Sequence, residues 1–204
     1  MESGMVRDGF AAAATYFVAA VDQVPTDGWD QPGLGEWPIR ALVGHTTRAL
    51  SVVETYLDAG AATVTIPDAV DYYRCVLDAG VDHTAIAERG RAAGQALGDN
   101  PAAAIQTLVA RVVARVAASP DTALVGTPAG GMTLIAYLPT RVLELAIHAL
   151  DLAVALGREG TLPESAARVT LDLVGTLAAR RDRATDLLLA ATGRRALPPG
   201  YTVL

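Results

Sequence analysis

The chain has 204 residues, 51% of them hydrophobic, and a formal net charge of −6. This length suits one medium domain with a core of its own. Acidic and basic residues are interspersed, which argues against the clustered positive surface of a nucleic-acid-binding protein. Because Cys75 is the only cysteine, a disulfide within the chain and a cysteine-based zinc knuckle are both excluded.

Neither a signal peptide nor a membrane-spanning segment is expected. The first residues carry Glu2, Arg7 and Asp8 without an intervening apolar run. The longest uncharged stretch, 122–140, contains three glycines and two prolines and is a poor candidate for a spanning helix. We therefore expect a cytoplasmic protein without a membrane partner.

Apolar residues recur with helical spacing in six segments. In chain order these are 4–22, 38–59, 69–97 with a break near Gly80, 101–118, 140–156 and 163–191 with some interruption. Residues 28–37 are predicted to form a loop and 62–67 a connector, and Pro139 is expected to precede the fifth helix. The tail from Gly193 is expected to be extended.

The periodicity changes before the fifth helix. Thr122–Val125 and Met132–Ala136 flank a glycine-rich turn, which predicts two short strands. The pattern predicts a mainly α protein, an up-down helical bundle with a short β-hairpin inserted before its last main helix.

The fifth helix carries a narrow polar stripe on an otherwise apolar surface. At 3.6 residues per turn, Arg141, Glu144, His148 and Asp151 fall within an arc of roughly 80°. Glu144 and His148, four residues apart, can meet over one turn and could hold one metal ion, although an ordinary helical Glu–His pair is the alternative. Asp151 could accept the free N–H of a ligand histidine or be a surface carboxylate.

His45 is predicted to point into the bundle, because Ala41, Leu42 and Ala49 share its helix face. A buried imidazole needs a partner, either a backbone carbonyl or a metal site. Two imidazoles and one carboxylate form the ligand set of catalytic zinc sites, which leave one coordination position open. His83 has polar neighbours and is expected to be solvated.

Two segments resemble the mycothiol-dependent maleylpyruvate isomerase-like family. Residues 35–45, GEWPIRALVGH, are similar to its Gly-Trp-x-Val-x-Asp-Leu-x-x-His segment. Residues 137–152, YLPTRVLELAIHALDL, resemble its second signature, Arg-x-x-Glu-x-x-x-His-x-x-Asp. The tail 193–204 also resembles family members. The resemblance covers nearly the whole chain.

The resemblance implies a DinB-like four-helix bundle, here residues 1–158, followed by a short helical extension at 159–204. It implies that His45, Glu144 and His148 hold a divalent metal. Ala41 replaces an aspartate of the first motif. The isomerase itself has a larger C-terminal domain that supplies an essential arginine. None of the five arginines between 180 and 195 can be matched to that arginine, so the resemblance does not specify maleylpyruvate as substrate.

The expected function is a transferase or isomerase in which a metal-bound low-molecular-weight thiol attacks a small electrophile. Zinc is the first candidate, with nickel and iron as alternatives, and the resemblance implies mycothiol as the thiol. Arg141 or Arg48 could orient an acidic substrate or the thiol's carboxylate, although each could equally be structural. A homodimer is plausible. The alternative is a helical module that binds a metal or a small ligand without catalysis.

Overall fold

The computed structural model describes residues 2–80 and 82–204. Within them, the predicted mainly helical fold is confirmed. The helices are α1 Ser3–Val21, α2 Ile39–Ala59, α3 Ala69–Asp78, α4 His83–Ala96, α5 Pro101–Ala118, α6 Leu134–Ala155, α7 Glu164–Arg180 and α8 Ala184–Ala191. Two antiparallel pairs of strands accompany them, namely β1 Pro32–Leu34 with β2 Trp37–Pro38 and β3 Leu124–Thr127 with β4 Gly130–Thr133.

Helices α1, α2, α5 and α6 form a four-helix bundle, in which α6 and α5 each pack against both α1 and α2. Aromatic and aliphatic side chains such as Phe10, Phe17, Leu42 and Leu145 are fully or almost fully buried between these helices. Helix α4 covers α2, helix α7 covers α1 and α6, and α3 packs on α6 and α7. This arrangement encloses most of α6, the helix with the polar stripe.

The expected start of α6 was wrong. The helix begins at Leu134 rather than Thr140, and Thr133 caps it by accepting a hydrogen bond from the Ala136 amide. Pro139 therefore lies inside the helix. A proline there removes the hydrogen bond that its N–H would donate to Ile135, four residues earlier, and this rarity is why the sequence favoured a boundary instead.

The strands also differ from the prediction. The loop expected at 28–37 contains β1, and β2 begins at its last residue. The hairpin lies at 124–133. Its second strand was expected at Met132–Ala136, but the last three of these residues belong to α6. Amides of Thr65 and Ile66 both donate to the Gly131 carbonyl, which fixes the hairpin to the connector. The breaks expected within 69–97 and 163–191 are confirmed.

Helices α2 and α4 approach each other closely through three glycines. A Cβ atom on Gly44 would lie 2.2 Å from the Gly94 nitrogen and 2.5 Å from the Gly90 carbonyl oxygen. Contacts this short leave no room for a methyl group. Since His45 follows Gly44 directly, the same contact sets the position of this histidine.

A second, smaller apolar cluster lies behind α3 and α7. It contains Tyr73, Leu143 and Leu177, and Val203 of the C-terminal tail is buried among them. In contrast, Ala166 and Val169 of α7 belong to the main core. The division of the chain at residue 158 stays a prediction.

Helix α5 is long and apolar enough to cross a membrane by length and composition, the one such helix among the described residues. This is weak evidence, since a core helix of a soluble protein passes the same test. Arg111 and Arg115 on α5 pair with Glu54 and Asp58 of α2.

We predict that Gly44→Ala destabilises the protein by about 1–3 kcal/mol or more, because α2 and α4 must separate. Gly175→Ala is the matched control, since it also lies within a helix but a Cβ there meets nothing within 4 Å. That control should stabilise by up to about 1 kcal/mol. Chemical denaturation measures both, and equal stabilities would contradict the close contact.

Candidate metal centre

Three side chains from two helices, α2 and α6, converge where these helices pack together. The Nε2 atom of His148 lies 3.5 Å from Oε2 of Glu144, and Nε2 of His45 lies 3.9 Å from the same oxygen. One donor atom from each residue lies within 4.8 Å of the other two. Tetrahedral zinc ligands are roughly 3.4 Å apart, so a small closing movement would let all three donors reach one ion.

Aromatic contacts hold His45 in this position. The Trp37 ring lies on one side of the imidazole and the His148 ring on another, each with a centroid separation of 4.9 Å. The β1–β2 pair, which the sequence did not predict, places Trp37 there. The His45 side chain is 20% exposed, Glu144 25% and His148 18%, so the centre is partly enclosed and still reachable by a small molecule.

Neighbouring groups orient two of the three donors. The Asp151 carboxylate bonds Nδ1 of His148 at 2.9 Å, which leaves Nε2 facing Glu144. The Tyr73 hydroxyl donates to Oε1 of Glu144 at 3.0 Å, which leaves Oε2 facing both histidines. Such outer hydrogen bonds fix the tautomer and direction of metal ligands. The position of Asp151 is thus the one expected for a residue that accepts the free N–H of His148.

The pKa values divide the two histidines. Burial, reinforced by His148, lowers the pKa of His45 to about 4. Burial also opposes the charged form of His148, but hydrogen bonds to Asp151 and Glu144 prevail and raise its pKa to about 9. Burial would raise the pKa of Glu144, yet His148, Arg141 and Tyr73 together lower it to about 2.

The comparisons with known proteins identify the family. The family model for the mycothiol maleylpyruvate isomerase N-terminal domain matches residues 10–153. The chain belongs to this family. Among the curated proteins and the solved structures, neither search found a match. The matched range contains His45, Glu144, His148 and Asp151, so the convergent cluster lies within the family's mycothiol-related, DinB-like metal-binding domain.

The two arginines considered for substrate orientation lie near the cluster in different ways. Arg141 is 9% exposed, and its Nε donates to Thr140 Oγ1 at 2.9 Å. Arg48 is half-buried one turn after His45 on α2, and its charge is one of the smaller contributions that lower the pKa of His45. His83 is exposed at the start of α4, the helix that covers α2, and it does not belong to the His45–Glu144–His148 cluster. Cys75 is half-buried against the main core.

Four aromatic residues beside the His45–Glu144–His148 cluster were not predicted from the sequence. Tyr137 lies one turn before Arg141 on the same face of α6, but the late helix start concealed this relation. Trp37 stands within the first motif, where its contact with His45 could have been considered. Tyr72 and Tyr73 reach the centre only because α3 packs against α6, and no local pattern signals that contact.

We predict that metal binding at pH 7 releases about one proton per ion. With a pKa of about 9, His148 is protonated at pH 7 in metal-free protein, whereas coordination requires its neutral form. His45, with a pKa of about 4, and Glu144, with a pKa of about 2, lose none. The metal affinity should therefore rise about tenfold per pH unit until pH approaches 9.

Titration calorimetry in two buffers with different ionisation enthalpies measures the released protons. Equal apparent enthalpies in both buffers would mean that no proton leaves, and would contradict the protonated state of His148.

Proposed function

We propose that this protein binds one divalent transition metal through His45, Glu144 and His148 and uses it to activate a low-molecular-weight thiol. The observation that carries the proposal is the convergence of the three donor atoms within 4.8 Å of one another. Two imidazoles and one carboxylate suit zinc first, and nickel or iron also accept this donor set.

The surroundings fit such an ion. Asp151 binds Nδ1 of His148, and Tyr73 binds Oε1 of Glu144. These are the atoms that the proposed coordination does not use. Three protein ligands leave a coordination position for an exogenous molecule, as in catalytic zinc sites. Partial exposure of all three side chains provides access to it.

A bound divalent cation stabilises a thiolate far more than a thiol, which makes a coordinated thiol nucleophilic near neutral pH. The chain's own residues contribute orientation, partial exclusion of water by Trp37 and Tyr73, and positive charge from Arg141. The family membership supports mycothiol as the thiol. We propose transfer of this thiol to a small electrophile, or thiol-catalysed isomerisation of that electrophile, as the reaction.

The first test is metal content. Protein purified without added metal, and then loaded with Zn²⁺, should bind one ion per chain. His45→Ala and His148→Ala should each lose most of it, because a three-ligand site does not retain the ion on two ligands. His83→Ala, the third histidine and exposed, should keep full stoichiometry.

Elemental analysis after gel filtration measures this. Unchanged stoichiometry in His148→Ala would remove His148 from the proposed ligands, and loss in His83→Ala would indicate adventitious surface binding.

The second test is thiol consumption. Metal-loaded protein should accelerate the loss of mycothiol in the presence of a panel of small electrophiles. Both metal-free protein and His148→Ala should be inactive, since each lacks the proposed activating centre. Free thiol is followed by a colorimetric reagent. A protein that binds its metal but consumes neither mycothiol nor glutathione would instead be a metal-binding module without catalysis.

A further inference from the structure

Arg141 is a buried cation without an anionic partner in contact. Its residue is 9% exposed. Among residues 2–80 and 82–204, no carboxylate oxygen lies within 4.0 Å of its guanidinium nitrogens. A buried charge is costly unless it is paired, so this arrangement requires an explanation.

The groups in contact with this guanidinium are neutral, and the charge of Glu144 acts on it only from beyond 4.0 Å. Its Nε atom is already bonded to Thr140 Oγ1. The guanidinium carbon lies 4.9 Å from the ring centroid of Tyr137 and 5.9 Å from that of Tyr72. Two aromatic faces and a hydroxyl solvate a cation, but they do not neutralise it. The planar edge formed by the two terminal amino groups remains suited to a carboxylate.

A second polar group nearby is also without a partner. The Tyr137 hydroxyl is fully buried and has no hydrogen-bond partner among the described residues. Tyr137 lies one turn before Arg141 and two turns before Glu144 on the same face of α6. Unsatisfied buried groups are rare in native proteins. Here a hydroxyl and a cation on successive turns are both left incomplete beside the metal centre.

Glu144 does not resolve the charge of Arg141. Its Oε1 accepts from Tyr73 and its Oε2 faces the two histidines. A divalent ion held by these donors would bring two positive charges, and the carboxylates of Glu144 and Asp151 carry two negative charges between them. The charge of Arg141 would then have no carboxylate in contact to balance it.

We propose that Arg141, with Tyr72 and Tyr137, forms a carboxylate-binding subsite next to the metal, for a small acid that reaches the metal with its other end. This rests on the proposed function and adds a substrate class, namely anionic thiols or electrophiles. Along α6, Arg141 lies about 4.5 Å from Glu144 in axial rise. A short linker between the metal-binding group and the carboxylate therefore suits the site. Arg48 is not part of this subsite.

The test uses protein loaded with Co²⁺, whose thiolate absorption band reports thiol binding without turnover. Two thiols of similar size are compared, 3-mercaptopropionate and the uncharged 3-mercapto-1-propanol. Wild-type protein should bind the acid roughly ten- to hundredfold more tightly, the range for a charge-assisted hydrogen bond. Arg141→Met should abolish this preference while leaving the affinity for the alcohol unchanged.

Arg48→Met is the matched control, because it removes the same charge from the other ligand helix and should retain the preference. Arg141→Lys keeps the charge but loses the planar fork, so it should retain part of the preference, and it replaces the methionine variant if that does not fold. No preference in wild-type protein, or an undiminished preference in both Arg141 variants, would overturn the proposal.

A second pair of ligands tests whether the carboxylate belongs to the thiol or to the electrophile, and its first arm does not need the metal. Succinate and succinamide are compared by thermal melting, on metal-free protein and on Co²⁺ protein saturated with 3-mercapto-1-propanol. Stabilisation by succinate but not by succinamide, lost in Arg141→Met, supports the subsite. If succinate still stabilises the protein when the thiol is bound, the carboxylate belongs to the electrophile. Displacement by the thiol assigns it to the thiol.

Failure to bind Co²⁺ would reject the proposed function. Equal responses to succinate and succinamide, together with equal affinities for the two thiols, would reject the subsite alone.

Discussion

A carboxylate within an apolar bundle must find partners, and Glu144 organises this protein accordingly. It lies on the most enclosed helix, where an isolated charge would be costly. Tyr73 from α3, His45 from α2 and His148 from its own helix all approach it. Each of these groups comes from a different part of the chain. The packing of three helices is thus tied to a single ionised side chain, and the same convergence creates a set of metal donors.

Two features of the structure orient these donor atoms toward one another as well as bringing them close. Asp151 bonds Nδ1 of His148, and Tyr73 donates to Oε1 of Glu144. The second nitrogen of His148 and the second oxygen of Glu144 are therefore left facing each other. The glycine contact between α2 and α4 fixes the backbone beside His45. Helices α2 and α6 therefore hold the three donor atoms close to the geometry that an ion requires. Binding would need only a small rearrangement of these side chains.

Much of this arrangement could be predicted from particular residues. The stripe of Glu144, His148 and Asp151 stands out because its helix is otherwise apolar, and His45 follows from the burial of its helix face. The tyrosines could not be predicted in the same way. Tyr73 contacts Glu144 across 71 positions of sequence, and such tertiary contacts leave no local pattern. Pro139 concealed the first turns of α6, and with them Tyr137, because a proline inside a helix is the exception.

The C-terminal tail gives the centre a connection to a distant part of the chain. Val203 is buried in the apolar cluster that contains Leu143 and Tyr73, the residue whose hydroxyl donates to Glu144. Loosening of this tail by a protease, a fused tag or a bound partner would therefore weaken the packing around Tyr73, and through Tyr73 the position of the Glu144 carboxylate. The C-terminal residues therefore support the site from outside it, through their packing against Tyr73.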